Sequence, residues 1–213
     1  MIFSSDELLG LSAISGGGVL PGFPPPQSAP RQATLAMEGL ISKGVLDERK
    51  QVTEFGVLPV QAVEQYRTAD RYVIINHVKA SVNSDGALTV FHPVDDQWHL
   101  TRMSPLQLMV GLLKAYPWMC GSSREVLPTS WVPMTILQWA EAQESQPGSP
   151  LMVRTVSRLG GRSQVLAYSH VENSGFVFVL SEGKGREMPV GQIRTEIADS
   201  LGWHPQEGGE DHG

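Results

Sequence analysis

The sequence has one cysteine, no surplus of positive charge, no long apolar run and none of the short motifs that mark common active sites. Each absence narrows the field. Cys120 has no partner, so no intramolecular disulfide forms and nothing asks for an oxidising compartment. No apolar stretch approaches the roughly 20 residues of a membrane-crossing helix, which predicts no membrane insertion. Against 22 Asp and Glu stand 16 Lys and Arg, a formal net charge of −6. Phosphate backbones are held by Lys and Arg, so this balance argues against nucleic acid as a partner. G-x-S-x-G, S-x-x-K, P-loop and G-x-G-x-x-G patterns are all missing.

Metal-ligand spacing is missing too. Among His77, His92, His99, His170, His204 and His212, no pair falls in an H-x-x-x-H or H-E-x-x-H arrangement. One cysteine cannot build a thiolate zinc site. His92 and His99 flank one turn and could share a cation, but they read more simply as hairpin-end surface residues. Cys120, in Pro-Trp-Met-Cys-Gly, reads as a small buried hydrophobe. The expectation is therefore no catalytic residue, no cofactor, no metal, and a protein that is not an enzyme.

What is present suits an ordinary globular α+β chain of 213 residues, 41% hydrophobic and 18% charged. The opening MIFSSDELLGLSAI carries Asp6 and Glu7 where an export signal needs Lys or Arg, so a cytoplasmic location is expected. Ser4 followed by Glu7 reads as a capping box for a helix over 6–14. Gly16-Gly17-Gly18 and the proline-rich 21–26 predict a loop. Further helices are expected over 30–43, capped by Gly44, and from Thr53 to about 66–69, with Val60, Val63 and Tyr66 on one face.

The period then changes. Arg71–Ala80, Ala87–His92 and Gln97–Arg102 are β-rich runs separated by turn sequences, which predicts an antiparallel meander. Ser104-Pro105 opens a helix to about Tyr116. Another is expected over 133–144 with Leu137 and Ala140 facing inwards. Strands over 151–158, 164–170 and 175–181 form a second meander. A last helix over 190–201 carries the stripe Val190, Ile193, Ile197 and Leu201. The segments 102–118 and 187–203 align without a gap, sharing Met, Gln and the closing Trp118 and Trp203. The expected fold is one domain over 1–205: a helical N-terminal segment over 1–70, a first meander and helices over 71–146, and a second meander and helix over 150–203. An antiparallel sheet is built from two meander-plus-helix halves with flanking helical bundles. Residues 206–213 are expected to be a disordered tail.

Ser4-Ser5-Asp6-Glu7-Leu8-Leu9, Val19-Leu20-Pro21-Gly22 and Leu40-Ile41-Ser42-Lys43-Gly44-Val45-Leu46 resemble the opening of the EspG-like chaperones of type VII (ESX) secretion. Thr53-Glu54-x-Gly56 and the Tyr72–Asn76 strand are closer to a related Gram-positive group encoded near such systems. The order of later elements is similar as well, so the resemblance covers about residues 4–203. It implies a central antiparallel sheet with a pseudo-twofold, no cofactor, and a cytosolic chaperone that holds a helical secretion substrate of WXG100 or PE/PPE-like type.

The candidate recognition surface consists of two acidic turns beside large aromatics: Asp95 and Asp96 with Trp98, and Glu172 with Phe176. A ring supplies buried area and charges set orientation. A simpler reading points both rings into the core and leaves the acids to keep the turns soluble. Two other functions are weighed against a binding role. Residues 30–66 have the layout of a winged helix, which would make a DNA-binding regulator, but Gln32–Ser42 contains no Lys or Arg for phosphates or base edges. An enzyme of a kind not recognisable from motifs is the other.

Overall fold

The structure, a computed structural model, describes residues 1–24, 30–121, 128–144, 150–157, 163–171 and 174–203. The expected tail and Glu172 lie outside them. The chain forms two compact units: Met1–Met103 with Arg154–Ser163, and Ser104–Val153 with Gln164–Gly213.

The first unit opens with β1 (Ile2–Phe3), α1 (Ser5–Ile14), α2 (Pro30–Ser42) and α3 (Val57–Thr68). The capping box is present. Ser4 Oγ accepts from Glu7 N–H at 3.1 Å and the Glu7 carboxylate accepts from Ser4 N–H at 2.7 Å. Glu7 is buried and also pairs with Lys43 at the end of α2. Gly39 makes this possible, because a Cβ there would collide with the Glu7 carboxylate. The third helix starts later than expected, at Val57. Thr53 instead caps a turn, its Oγ1 accepting from Gly56 N–H at 3.0 Å.

Four strands follow: β2 (Arg71–Ile75), β3 (Val78–Val82), β4 (Leu88–Val94) and β5 (Gln97–Met103). The single strand expected over 71–80 is a hairpin. Ile75 pairs with Val78 around Asn76, which takes the left-handed φ of 50° that Asn tolerates better than most residues. The order in this unit is β1-β5-β4-β3-β2, with antiparallel pairing throughout. Phe23, Tyr66, Tyr72 and Phe91 form its aromatic centre, with Tyr66 and Phe91 edge-to-face at 4.8 Å. Tyr66 Oη donates to the Pro21 carbonyl at 2.7 Å, and burial raises its pKa well above the usual phenol value.

The second unit contains α4 (Pro105–Ala115), a 3-10 turn (Pro117–Cys120), β6 (Val132–Pro133) and α5 (Ile136–Glu144). After these come β7 (Leu151–Ser157, with Leu151–Val153 in this unit), β8 (Gln164–Val171), β9 (Ser174–Val179), β10 (Lys184–Met188) and α6 (Val190–Ser200). Ser104 and Gln107 build a second capping box at α4. The strands run β8-β9-β10-β6, antiparallel where paired. No strand is expected at β10 from sequence, because Lys-Gly-Arg-Glu-Met lacks a β-rich pattern. Its Gly185 leaves room for the Phe176 ring of β9.

Two helices cover opposite faces of β9. α6 places Ile193 over Gly175, where a Cβ would strike the Ile193 side chain. α5 stacks Trp139 on Phe178 at 5.7 Å. The expected stripe of α6 holds: Val190, Ile193, Ile197 and Leu201 are all buried. The expected inward face of α5 does not, since Leu137 is 72% exposed and Ala140 is exposed as well. Trp139 points inwards instead.

Candidate functional site

Asp95 and Asp96 are the two turn residues between β4 and β5, closed by the Val94–Gln97 pair. Asp95 has a φ of 53°, and both carboxylates are exposed. Trp98 shares the hairpin but turns its ring towards the aromatic centre. It lies 4.9 Å from Phe23, and its Nε1 donates to Ser5 Oγ at 3.1 Å. The structure thus brings Asp95, Asp96 and Trp98 onto one hairpin, with ring and acids pointing different ways. Phe176 is half-buried in the second unit, paired with Ser169 and Glu187.

A different feature of the first unit presents more apolar surface. The turn before α3 brings Gly56 so close to the Val45 carbonyl that a Cβ would clash. On either side of it, Phe55 is 61% and Leu58 73% exposed. They form one wall of a groove of about 590 Å³, together with Pro59 and Ala62, opposite Met1 and Leu100 at the β1–β5 edge. Gln61, Gln65, Thr101 and Arg102 complete its lining, and Arg102 is paired with Asp85. β1 covers β5 only as far as Leu100, whose N–H donates to the Met1 carbonyl at 2.8 Å. The groove is not visible in the sequence because Phe55 and Leu58 look like ordinary core residues. Their exposure among the described residues is seen only in the fold.

The second unit has an apolar hollow of about 710 Å³ lined by Met134, Ile136, Phe178 and Leu180. Beside it Trp131 is held by Lys184 and Arg186, whose charges lie 4.8 and 4.5 Å from its ring centre.

For other chemistries the geometry offers less. His92 and His99 face each other across β4 and β5 with ring centres 4.8 Å apart. Burial, the N-terminal ammonium and His92 together lower the His99 pKa. No group of three or more potential metal ligands occurs among the described residues. Cys120 is exposed, contrary to the expected burial, because the 3-10 turn buries its neighbour Met119 instead. Arg194 fixes that turn by donating to the Met119 carbonyl at 2.7 Å. In α2, Ala36 and Leu40 are buried, and Gly10 of α1 approaches the Leu40 side chain. No helix among the described residues is long and apolar enough to cross a membrane.

These features define an α+β protein with an uncovered apolar groove and no cluster of metal ligands among the described residues. The chain belongs to the family described as a domain of unknown function, DUF5081, whose pattern matches residues 1–129. No curated protein matches the chain.

Proposed function

We propose that this protein is a cytosolic chaperone or adaptor associated with type VII secretion, and that it holds a helical substrate of WXG100 or PE/PPE-like type. The observation that carries the reading is the groove between α3 and β5. Its apolar wall, Phe55, Leu58, Pro59 and Ala62, is the kind of surface that receives the apolar face of an amphipathic helix. Exposing side chains as large as Phe55 and Leu58 side by side is unfavourable in a chain that acts alone. The sequence resemblance over residues 4–203 supplies the biological setting.

The proposal includes the pseudo-twofold relation of the two meander-plus-helix halves. Its support is local. Trp118 lies in the turn just after α4, and Trp203 follows α6, donating its backbone N–H to the Ala198 carbonyl at 2.9 Å. Affinity purification from the native host, followed by mass spectrometry, tests the function. Small helical secretion substrates should co-purify in stoichiometric amount. Recovery of DNA or of no protein partner would count against the reading.

A further inference from the structure

We propose that Leu20–Pro24 is a displaceable strap over an aromatic surface, sprung by the Lys79 ammonium that the closed strap buries with no carboxylate partner among the described residues. The strap is held at three points. Leu20 is buried, Tyr66 Oη bonds the Pro21 carbonyl, and Phe23 plugs into a ring formed by Tyr66, Phe91 and Trp98. Gly22, at a φ of 81°, lies flat on Ile74 and the Lys79 stem, with no room for a side chain against Ile74. If the strap lifted, it would uncover Tyr66, Phe91 and Trp98 together, the last of these on the hairpin that carries Asp95 and Asp96.

Lys79 lies beneath it, only 8% exposed. Its Nζ is 3.7 Å from the Trp98 ring centre and 4.9 Å from that of Phe23. The groups around it are Gly22 and Phe23 of the strap, Ile74 of β2, its cross-strand partner Phe91 of β4, and Trp98 of β5. None is charged. His77 offers a backbone carbonyl at 3.5 Å while its imidazole is exposed, and Tyr66 behind Phe23 stays neutral. Asp95 and Asp96 stand at the exposed tip of the hairpin. Among the described residues Lys79 makes no ion pair.

Attraction to the rings offsets some of the cost of burying the ammonium, but not all of it. Burial lowers the Lys79 pKa from 10.5 to about 8. The closed strap therefore favours the neutral amine, and the open strap returns the group to water and its ordinary value. Below about pH 8 the charge works against closure. As pH rises towards 10.5 that opposition fades.

Hydrogen exchange read by mass spectrometry over the strap tests this in the full chain, after correction for the intrinsic dependence of exchange on pH. Lifting releases the Leu20–Phe23 turn together with the strap, so the opening constant at Phe23, whose N–H donates to the Leu20 carbonyl, should fall by up to about tenfold between about pH 7 and about pH 9. Amides of α6 serve as the internal reference and should not follow. Lys79→Met should be more protected near neutral pH than the wild type is even at the higher pH, with no pH dependence. Lys79→Arg, which stays charged, should be open at both. Three outcomes would overturn the proposal: a wild-type opening constant equal at the two pH values, Lys79→Met as open as wild type near neutrality, or a strap that exchanges only with the core. Should Lys79→Met fold poorly, the wild-type pH pair and Lys79→Arg still decide.

Discussion

Helices α5 and α6 belong to the same unit and touch the same strand, yet only one buries the face its sequence suggests. In α6, Val190, Ile193 and Ile197 are spaced three and four apart and form one stripe, with Leu201 just beyond the helix. In α5, Ile136, Leu137, Trp139 and Ala140 spread over an arc of about 160°, with Trp139 and Leu137 at its opposite edges, so burying one leaves the other out. Trp139 wins because its ring removes the most apolar area from water and finds Phe178 to stack on. The result is imperfect. Among the described residues Trp139 Nε1 and Gln143 Oε1 are buried without a hydrogen-bond partner while Ile136 and Leu137 face outwards. Periodicity predicts a buried face only where one stripe dominates. Elsewhere the neighbouring sheet decides.

The largest expected effect separates the two helices directly. Ile193→Ala removes a fully buried side chain packed on Gly175 and should cost about 2–5 kcal/mol in denaturant unfolding. Leu137→Ala should change stability by less than about 0.5 kcal/mol. Comparable losses at the two positions would mean that α5 packs through its other face.

Helix starts carry a smaller effect, and there α5 matches α4. Ser104→Ala removes the cap of α4, and Thr135→Ala removes the corresponding Thr135–Gln138 cap of α5. Each should cost about 1 kcal/mol. An unchanged Thr135→Ala variant would show that α5 draws little stability from its own fold.

The smallest effect concerns His99 in the first unit. Its folded pKa is lowered, so the fold resists protonation there. Its stabilising effect is complete above the ordinary value near 6.5 and declines as pH falls below it. The wild type should therefore lose more melting temperature between neutral and mildly acidic pH than His99→Gln. Equal losses would assign the acid sensitivity to other groups.

Much of the fold is legible from local chemistry. The capping box at Ser4, the Ser104-Pro105 helix start, the helix expected over 30–43 and the stripe of α6 all follow from signals a few residues long. Features that depend on distant contacts are not. Arg71–Ala80 looks like one strand because its only break is Asn76-His77, and the left-handed Asn76 turn becomes visible only through the Ile75–Val78 pair. β10 pairs with β9, and its Gly185 leaves room for the Phe176 ring, an accommodation that no residue pattern within Lys184–Met188 announces. The acidic tip at Asp95 and Asp96 is legible as a turn, whereas the groove at Phe55 and Leu58 is not. Their residue types imply burial, and only the fold leaves them uncovered.

The groove and the acidic tips are rival docking surfaces for the proposed substrate, and one measurement separates them. A WXG100-type protein is co-expressed with wild type, with Leu58→Glu, and with the combined reversal Asp95→Lys, Asp96→Lys and Glu172→Lys, and the retained complex is quantified by size-exclusion chromatography. The wild type should retain the partner. Leu58→Glu should lose it while its melting temperature stays close to wild type, because Leu58 is 73% exposed. The charge reversal should weaken capture far less. A complex untouched by Leu58→Glu, or no complex with the wild type, would contradict the account.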